Sequence, residues 1–218
     1  MSKNQYISMP SIRRLPRYYR FLIELRKSGV TRISSMELAN RMGLTASQIR
    51  QDFNRFGDFG QQGYGYNVDN LITQIGDILG VKESNQCILI GAGNLGKALM
   101  NQLDFKTMGF ELIAAFDVSP QVIGQTINGY PVLDVANVGE FCVEHHPKMA
   151  ILCVPRSEAE SIASKLYFLD INCFWNFSHT DISLTHSNIV VENVHLNDSL
   201  MILSYKLHQQ QQEEKEAN

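Results

Sequence analysis

Six residues, Gly91-Ala92-Gly93-Asn94-Leu95-Gly96, limit what this chain can fold into more than any others. The G-x-G-x-x-G spacing carries meaning only between a strand and a helix. Both neighbours are present: the apolar run 86–90 reads as a strand and 94–103 as a helix. In that setting Gly91 permits the tight turn and Gly93 lets a pyrophosphate approach the backbone. Gly96 lets the helix pack closely on the strand, so the helix N-terminus can hold phosphates. A second strand over 111–117 ends in Asp117, 21 residues after Gly96. An acid at that place takes the adenosine ribose hydroxyls and repels a 2′-phosphate, which points to NAD(H) over NADP(H). Asp117 as a turn or helix cap is the alternative.

The alternation continues with helices over 135–145 and 157–169 and strands over 149–154, 173–176 and 189–192. Strand after helix after strand implies a doubly wound parallel sheet over 84–192, an α/β Rossmann domain. Ligands bind such sheets at the carboxyl ends of strands. Val118 follows Asp117 there, and Val154, Pro155, Asn176 and Phe177 are the candidates for the nicotinamide end.

The fingerprint stands behind about eighty residues of a different kind. Leu15-Pro16 opens a helix carrying Tyr18, Phe21, Leu22 and Leu25 at helical spacing, and Gly29 ends it. Ser34/Glu37 and Thr45/Gln48 both fit the capping-box spacing, and Gly43 stands between the two short helices they start. So tight a junction predicts a helix-turn-helix. On the second helix Ile49, Phe53 and Phe56 share an inward face, while Ser47, Arg50, Gln51, Asn54 and Arg55 share the other, with Asp52 turned away. Arg suits guanine, Asn and Gln suit adenine, and Ser can hold a phosphate. A solvated face is the plain alternative. Four glycines among aromatics over 57–66 suit a hairpin, the wing of a winged helix, with Gln61-Gln62 at its tip. A linking helix over 68–79, with Leu71, Ile72, Ile75, Ile78 and Leu79 apolar, ends this domain, residues 1–80.

Charge divides along the same boundary. Residues 1–80 hold 11 Lys/Arg against 6 Asp/Glu, and residues 81–218 hold 8 against 16, so a net charge of −3 conceals a basic front half. That suits a polyanionic partner for the front half only. No apolar run is long enough to span a membrane and no apolar secretion signal opens the chain, so a cytoplasmic protein is expected. The four cysteines form no C-x-x-C pair, and His145-His146 point apart on a helix, so no metal site or thiol switch is expected.

Asn197-Asp198 can cap a last helix over 196–212, where Leu196, Leu200, Leu203 and Leu207 form a stripe that Met201 and Ile202 widen. Such a helix needs burial by more than one surface, which a homodimer would supply; a core helix of the same subunit is the alternative. Residues from Glu213 onward are expected to fray.

With both halves in view the chain resembles the Rex family of redox-sensing transcriptional repressors. The residues that carry this are Arg14-Leu15-Pro16, Ser34-Ser35 with Leu38-Ala39, Gln48 to Phe53, Phe56-Gly57 through Gly65-Tyr66, and the glycine fingerprint. Phe116-Asp117-Val118, Val154-Pro155, Asn176-Phe177 and Val191-Glu192-Asn193-Val194 complete the set. The resemblance implies a homodimer with domain-swapped C-terminal helices, reading an inverted-repeat operator and released from it by NADH. It also implies control of fermentation and respiration genes. The expected DNA-contacting set is Arg14, Ser47, Gln48, Arg50, Gln51, Asn54, Arg55, Gln61, Gln62 and Tyr64.

This chain departs from better-known members in telling places. Gln51 stands where Lys is usual, and Gln62 where the wing tip is commonly basic. In some relatives an Asp exchanges partners between an N-domain Arg and a Tyr near the cofactor. Arg20 matches the Arg, but His195 and Gln102 occupy the other two positions. Arg20, Gln102 and His195 are therefore the switch candidates, with His195 expected at the domain junction against the cofactor or Gln102. A response that varies near an imidazole pKa of about 6.5 would follow. An NAD-dependent dehydrogenase is the main rival, but only about 25 residues follow the Rossmann segment, too few for a substrate domain. A coenzyme A fold would leave Asp117 unexplained.

Overall fold

The computed structural model describes residues 8–56, 65–184 and 188–216, and the chain divides into two units, Met1–Glu83 and Ser84–Asn218. The first unit runs α1 (Met9–Ile12), α2 (Leu15–Lys27), β1 (Arg32–Ile33), α3 (Ser35–Met42), α4 (Ala46–Phe56), β2 (Tyr66–Asn67) and α5 (Val68–Leu79). Both expected caps form: Ser34 Oγ accepts the Glu37 N–H at 3.0 Å, and Thr45 Oγ1 accepts the Gln48 N–H at 3.1 Å. Such a bond satisfies one of the donors that every helix start leaves unpaired. The return half of each box is absent among the described contacts. Glu37 pairs forward with Arg41 at 2.6 Å and Gln48 turns to Asp52.

The core of this unit collects one face from each helix: Tyr18 and Leu22 of α2, Leu38 of α3, Ile49 and Phe53 of α4, and Leu71 and Ile75 of α5, all fully buried. Tyr18 and Tyr66 each meet the Phe53 ring edge-on, at 5.4 and 4.9 Å. Residues 68–79 are therefore a packed member of this unit and not a bare linker. Two features lie beyond the sequence expectations, the short α1 and the antiparallel ladder that sets Ile33 of β1 opposite Tyr66 of β2. The expected wing, 57–64, and the Phe56 side chain lie outside the described residues.

The second unit runs β3 (Asn85–Ile90), α6 (Asn94–Gln102), β4 (Phe110–Asp117), β5 (Thr126–Ile127), β6 (Tyr130–Asp134), α7 (Val138–His145), β7 (Met149–Leu152), α8 (Arg156–Tyr167), β8 (Cys173–Asn176), β9 (Val190–Asn193) and α9 (Leu196–Glu216). The sheet order is β5-β6-β4-β3-β7-β8-β9, parallel except where β5 meets β6. The order turns back at β3, the topological switch point where ligands bind this fold. Both faces are covered, as a parallel sheet requires. Along β3, Cys87 and Leu89 face one buried cluster with Met100 of α6, while Ile88 and Ile90 face the other with Val138 of α7 and Ala163 of α8.

The helix placed over 135–145 begins at Val138, behind a 3-10 turn over Val135–Asn137. The strand placed over 149–154 ends at Leu152, so Val154 and Pro155 lie in the loop after β7. The β5–β6 hairpin was unforeseen. The last helix continues to Glu216, past the fraying expected from Glu213.

Candidate functional sites

The three glycines of the fingerprint are required for three different reasons. Gly91 has φ 97°, and a Cβ there would also collide with the Cys153 carbonyl oxygen at the end of β7. A Cβ on Gly96 would collide with the Gly91 carbonyl oxygen, so α6 can approach β3 only without one. A Cβ on Gly93 would meet nothing within 4 Å. Packing therefore does not demand Gly93; open space in front of its backbone is what a pyrophosphate needs. Gly93 is also the N-cap of α6 with no side-chain cap, which leaves the positive end of that helix to an anion.

Asp117 closes the other side. Its Oδ2 accepts the Ala92 N–H at 2.7 Å and its Oδ1 the Ser119 N–H at 2.8 Å. The acid thus caps a turn and braces the glycine loop. A carboxylate offers about four lone-pair sites, so two remain for ribose hydroxyls. Between these elements lies a cleft of about 370 Å³ lined by Ile90, Gly91, Gly93, Phe116, Asp117, Val118, Val135, Cys153, Val154, Pro155, Glu158 and Ile162. Apolar walls with two carboxylates and a helix N-terminus fit an adenosine diphosphate portion: a flat base between aliphatic side chains, a ribose at the acid, and phosphates at the amides.

Asn176 and Phe177 lie elsewhere. Asn176 is buried with all its hydrogen-bonding capacity used. Its Nδ2 donates to the Thr180 carbonyl at 2.6 Å and to Asn193 Oδ1 at 2.7 Å, while Oδ1 accepts from the Ser178 N–H and hydroxyl. Phe177 packs edge-on against Trp175 at 4.7 Å. The side chain of Asn176 ties β8 to β9 and shapes the loop after it; neither residue lines the cleft.

In the first unit Ser47, Arg50, Gln51, Asn54 and Arg55 of α4 are exposed together, as their helical spacing requires. Arg50 Nη1 donates to Ser35 Oγ at 3.2 Å and Arg55 Nη1 to Ser11 Oγ at 3.3 Å, so both guanidiniums lean on neighbouring helices. The opposite face carries Asp52, fully buried. It accepts Arg14 Nε at 2.7 Å and Nη2 at 2.5 Å, the Tyr18 hydroxyl at 2.7 Å, and Ser11 Oγ and Gln48 Nε2 at 3.2 Å each. Arg14 and Gln48 are thus engaged inside the unit.

Two family models match: one described as "Putative DNA-binding protein N-terminus" over residues 6–54, and one described as "CoA binding domain" over residues 82–180. The redox-sensing transcriptional repressor Rex of Caldanaerobacter subterraneus subsp. tengcongensis is 48% identical over 211 residues, 97% of this chain and 94% of the relative. The chain belongs to the Rex family. Among solved structures, RSP, a Rex-family repressor, in complex with β-NAD+ and operator DNA matches with a TM-score of 0.86 at 46% identity, over 96% of each chain. RSP in complex with β-NADH matches with a TM-score of 0.87 at 43% identity, over 96% of this chain and 98% of that one.

Within this Rex-family chain the fingerprint residues Gly91 and Gly93 come together with Asp117, Val118, Val154 and Pro155 around one cleft, and Ala92 is bonded to Asp117 behind it. Asn94, Leu95 and Gly96 form the first turn of α6 beside it. Sequence reasoning missed Ile90, Phe116, Val135, Cys153, Glu158 and Ile162 of the lining. Glu158 and Ile162 were within reach, since residues four apart on a helix that starts at the cleft share a face. Burial pushes the Cys153 thiol up to about 12, so it lines the cleft as a neutral apolar group. Gln61, Gln62 and Tyr64 fall outside the described residues.

Of the switch candidates, Gln102 is exposed at the end of α6. His195 is exposed just before α9, its ring stacked on His179 with centroids 5.8 Å apart. Arg20 is exposed on α2, beside a shallow basic cleft with Arg17 and Arg41. Among the described residues no group of three or more His, Cys, Asp or Glu is placed to hold a metal ion, and no helix is long and apolar enough to cross a membrane.

Proposed function

We propose that this chain is a cytoplasmic, non-enzymatic repressor that binds an inverted-repeat operator as a homodimer and is released from it by NADH. The observation that carries this reading is a dinucleotide cleft, built on Gly91, Gly93 and Asp117, in one chain with a doubly capped helix-turn-helix. RSP, which this chain resembles over most of its length, has been solved both with β-NADH and with β-NAD+ and operator DNA.

Residues 1–80 serve as the DNA-binding domain. Ser47, Arg50, Gln51, Asn54 and Arg55 of α4 face the major groove and Gln61, Gln62 and Tyr64 belong to the wing. Residues 84–192 hold the cofactor: Gly91 to Gly96 take the pyrophosphate, Asp117 the ribose, and Val118, Val154 and Pro155 the adenine side. The 196–212 segment of α9 dimerises, exchanged between subunits. The dinucleotide supplies a redox state to be read, not a hydride to be consumed. The regulated genes belong to fermentation and respiration.

NADH and NAD+ share every phosphate and ribose, so only the nicotinamide can discriminate. Moving a dimer from about 1:99 to 99:1 between DNA-binding and released states needs roughly 5.5 kcal/mol of differential affinity. The ring must therefore touch the element that moves. The Asn176–Asn193 bond joins β8 to β9, which leads into His195 and α9. A gel shift on a selected inverted-repeat duplex, with NADH and NAD+ titrated separately, tests the function. Release by micromolar NADH without its turnover is expected; indifference of DNA binding to both would end the proposal.

A further inference from the structure

We propose that Arg14 and Asp52 are positioning residues that fix the roll of α4, so that Arg14 acts on DNA through the recognition helix and not through a phosphate. This rests on α4 being the recognition helix. Arg14 is basic, near the first turn of α2, and only partly covered, with 29% of its side chain exposed, which makes a phosphate contact the obvious assignment. Three of its five N–H donors, those of Nε and Nη2, are committed elsewhere. Nε and Nη2 hold the two oxygens of Asp52 in the two-pronged arrangement that a guanidinium and a carboxylate form, and Nη2 also reaches Ser11 Oγ at 3.3 Å.

The remaining contacts of α4 on that side are apolar, through Ile49 and Phe53. Apolar burial is non-directional: it holds a helix down without fixing its rotation. A fully buried carboxylate that accepts from Ser11, Arg14 and Tyr18, all outside α4, does fix it. The Thr45 cap belongs to α4 itself, so the directional bonds that reach Asp52 from α1 and α2 are what set the roll of α4 on that side. Gln51 and Arg50 lie just before Asp52, Asn54 and Arg55 just after, and all are carried by it. With side chains ending about 6 Å from a helix axis, a roll of about 20° moves them by about 2 Å. A binding constellation tolerates about 0.5 Å. Ser11 also holds Arg55 Nη1, so the clamp reaches the DNA-facing side directly.

The test uses the full-length protein and a duplex it selects from a random-sequence pool, against an unrelated duplex of equal length. Affinities are measured by fluorescence anisotropy across a salt series. Arg14→Lys keeps the charge but cannot form the two-pronged bond. The clamp requires it to lose about tenfold on the selected duplex, with binding to the unrelated duplex and the salt slope unchanged. A phosphate contact would survive this substitution, so unchanged affinity for the selected duplex overturns the proposal. Arg14→Gln should leave the slope of log K against log [salt] unaltered; a loss of about 0.9 in that slope, shared by both duplexes, also overturns it. Asp52→Asn should match Arg14→Lys, and the double variant should lose no more than the worse single one. Tyr18→Phe, which removes one donor and no charge, covers the case in which a stronger variant fails to fold. It should lose selectivity to a smaller extent, and no loss counts against the clamp. Arg50→Ala separates the two failures. If it leaves the selected duplex bound as tightly as before, α4 is not the reading helix, whatever the Arg14 variants do.

Discussion

The carboxylate of Asp117 accepts the backbone N–H of Ala92 at 2.7 Å, joining the end of β4 to the middle of the glycine loop. One acid therefore has two duties, to shape the loop and to receive the ribose. A ligand that bonds Asp117 also grips the loop that cradles its phosphates, which couples the two ends of the adenosine diphosphate portion.

Replacing Asp117 by Ala removes both duties. Hydrogen bonds to charged groups contribute about 1.5–3 kcal/mol each, so NADH affinity should fall by roughly 10- to 100-fold. DNA binding without cofactor should stay within a factor of two, because Asp117 belongs to the second unit. Titration of NADH fluorescence and an operator gel shift measure the two arms. Equal loss in both would show that Asp117 supports folding alone.

Gly93 and Gly96 should separate binding from stability. A Cβ on Gly96 meets the Gly91 carbonyl and Leu89, neither of which can retreat freely, and overpacking typically costs 1–3 kcal/mol. Gly96→Ala should thus lower the urea midpoint. The chain has one tryptophan, Trp175, on β8 of the same sheet, and its fluorescence reports that unit. Gly93→Ala should leave the midpoint in place, since nothing stands within 4 Å of the added methyl, yet weaken NADH by at least tenfold. A normal midpoint for Gly96→Ala, or normal NADH binding for Gly93→Ala, would contradict the assignment.

What the sequence disclosed and what it hid follow from range. Ser34, Thr45 and the glycine fingerprint act on neighbours a few residues away, so their geometry could be read directly. The ladder of Ile33 with Tyr66 joins two-residue strands far apart in sequence, and no local periodicity marks them. Asp52 is similar: its spacing on α4 turned it inward, but Ser11 and Arg14, its partners, stand 41 and 38 residues away. The β5–β6 hairpin was legible. Asn128-Gly129, with φ 48° and 85°, is the dipeptide that two-residue turns favour, between Ile127 and Tyr130, which pair across it. The internal bonds of Asn176 were not legible, because its partners Thr180 and Asn193 are set by the loop after β8 and by the pairing with β9.

The last helix is unfinished in a single chain. Leu200, Leu203 and Leu207 remain 65%, 60% and 54% exposed on α9, which argues against a core helix of the same subunit. If two chains cover each other's stripes, Leu203→Asp strikes the interface twice. At about 1.5–3 kcal/mol per buried leucine, the dimer should weaken by about 3–6 kcal/mol. That is on the order of 10²- to 10⁴-fold in dissociation constant. Sedimentation equilibrium would detect the monomer; an unchanged dimer would remove α9 from the interface.

The cluster around Asp52 makes the stability of the first unit depend on pH in a definite sense. Burial alone would raise the Asp52 carboxyl, but the hydrogen bonds and charge of Arg14, with the Tyr18 hydroxyl, outweigh it and hold the group below the usual carboxylate range. A group lowered on folding stabilises the fold above its unfolded pKa, near 3.9 for Asp, and loses that contribution as pH falls through the folded value. Tyr18 has the opposite sign. Burial first, then its bond to Asp52, raises its hydroxyl, so its contribution is present below about pH 10 and is lost as pH rises beyond. Hydrogen-exchange protection of the α4 amides should thus be level between about pH 5 and 9, once corrected for intrinsic exchange, and fall on both sides. Asp52→Asn should flatten the acid side, since no charge remains there to titrate, and leave α4 less protected across the plateau because Arg14 loses its counter-charge. An acid limb as steep in Asp52→Asn as in the natural chain would locate the titrating group elsewhere.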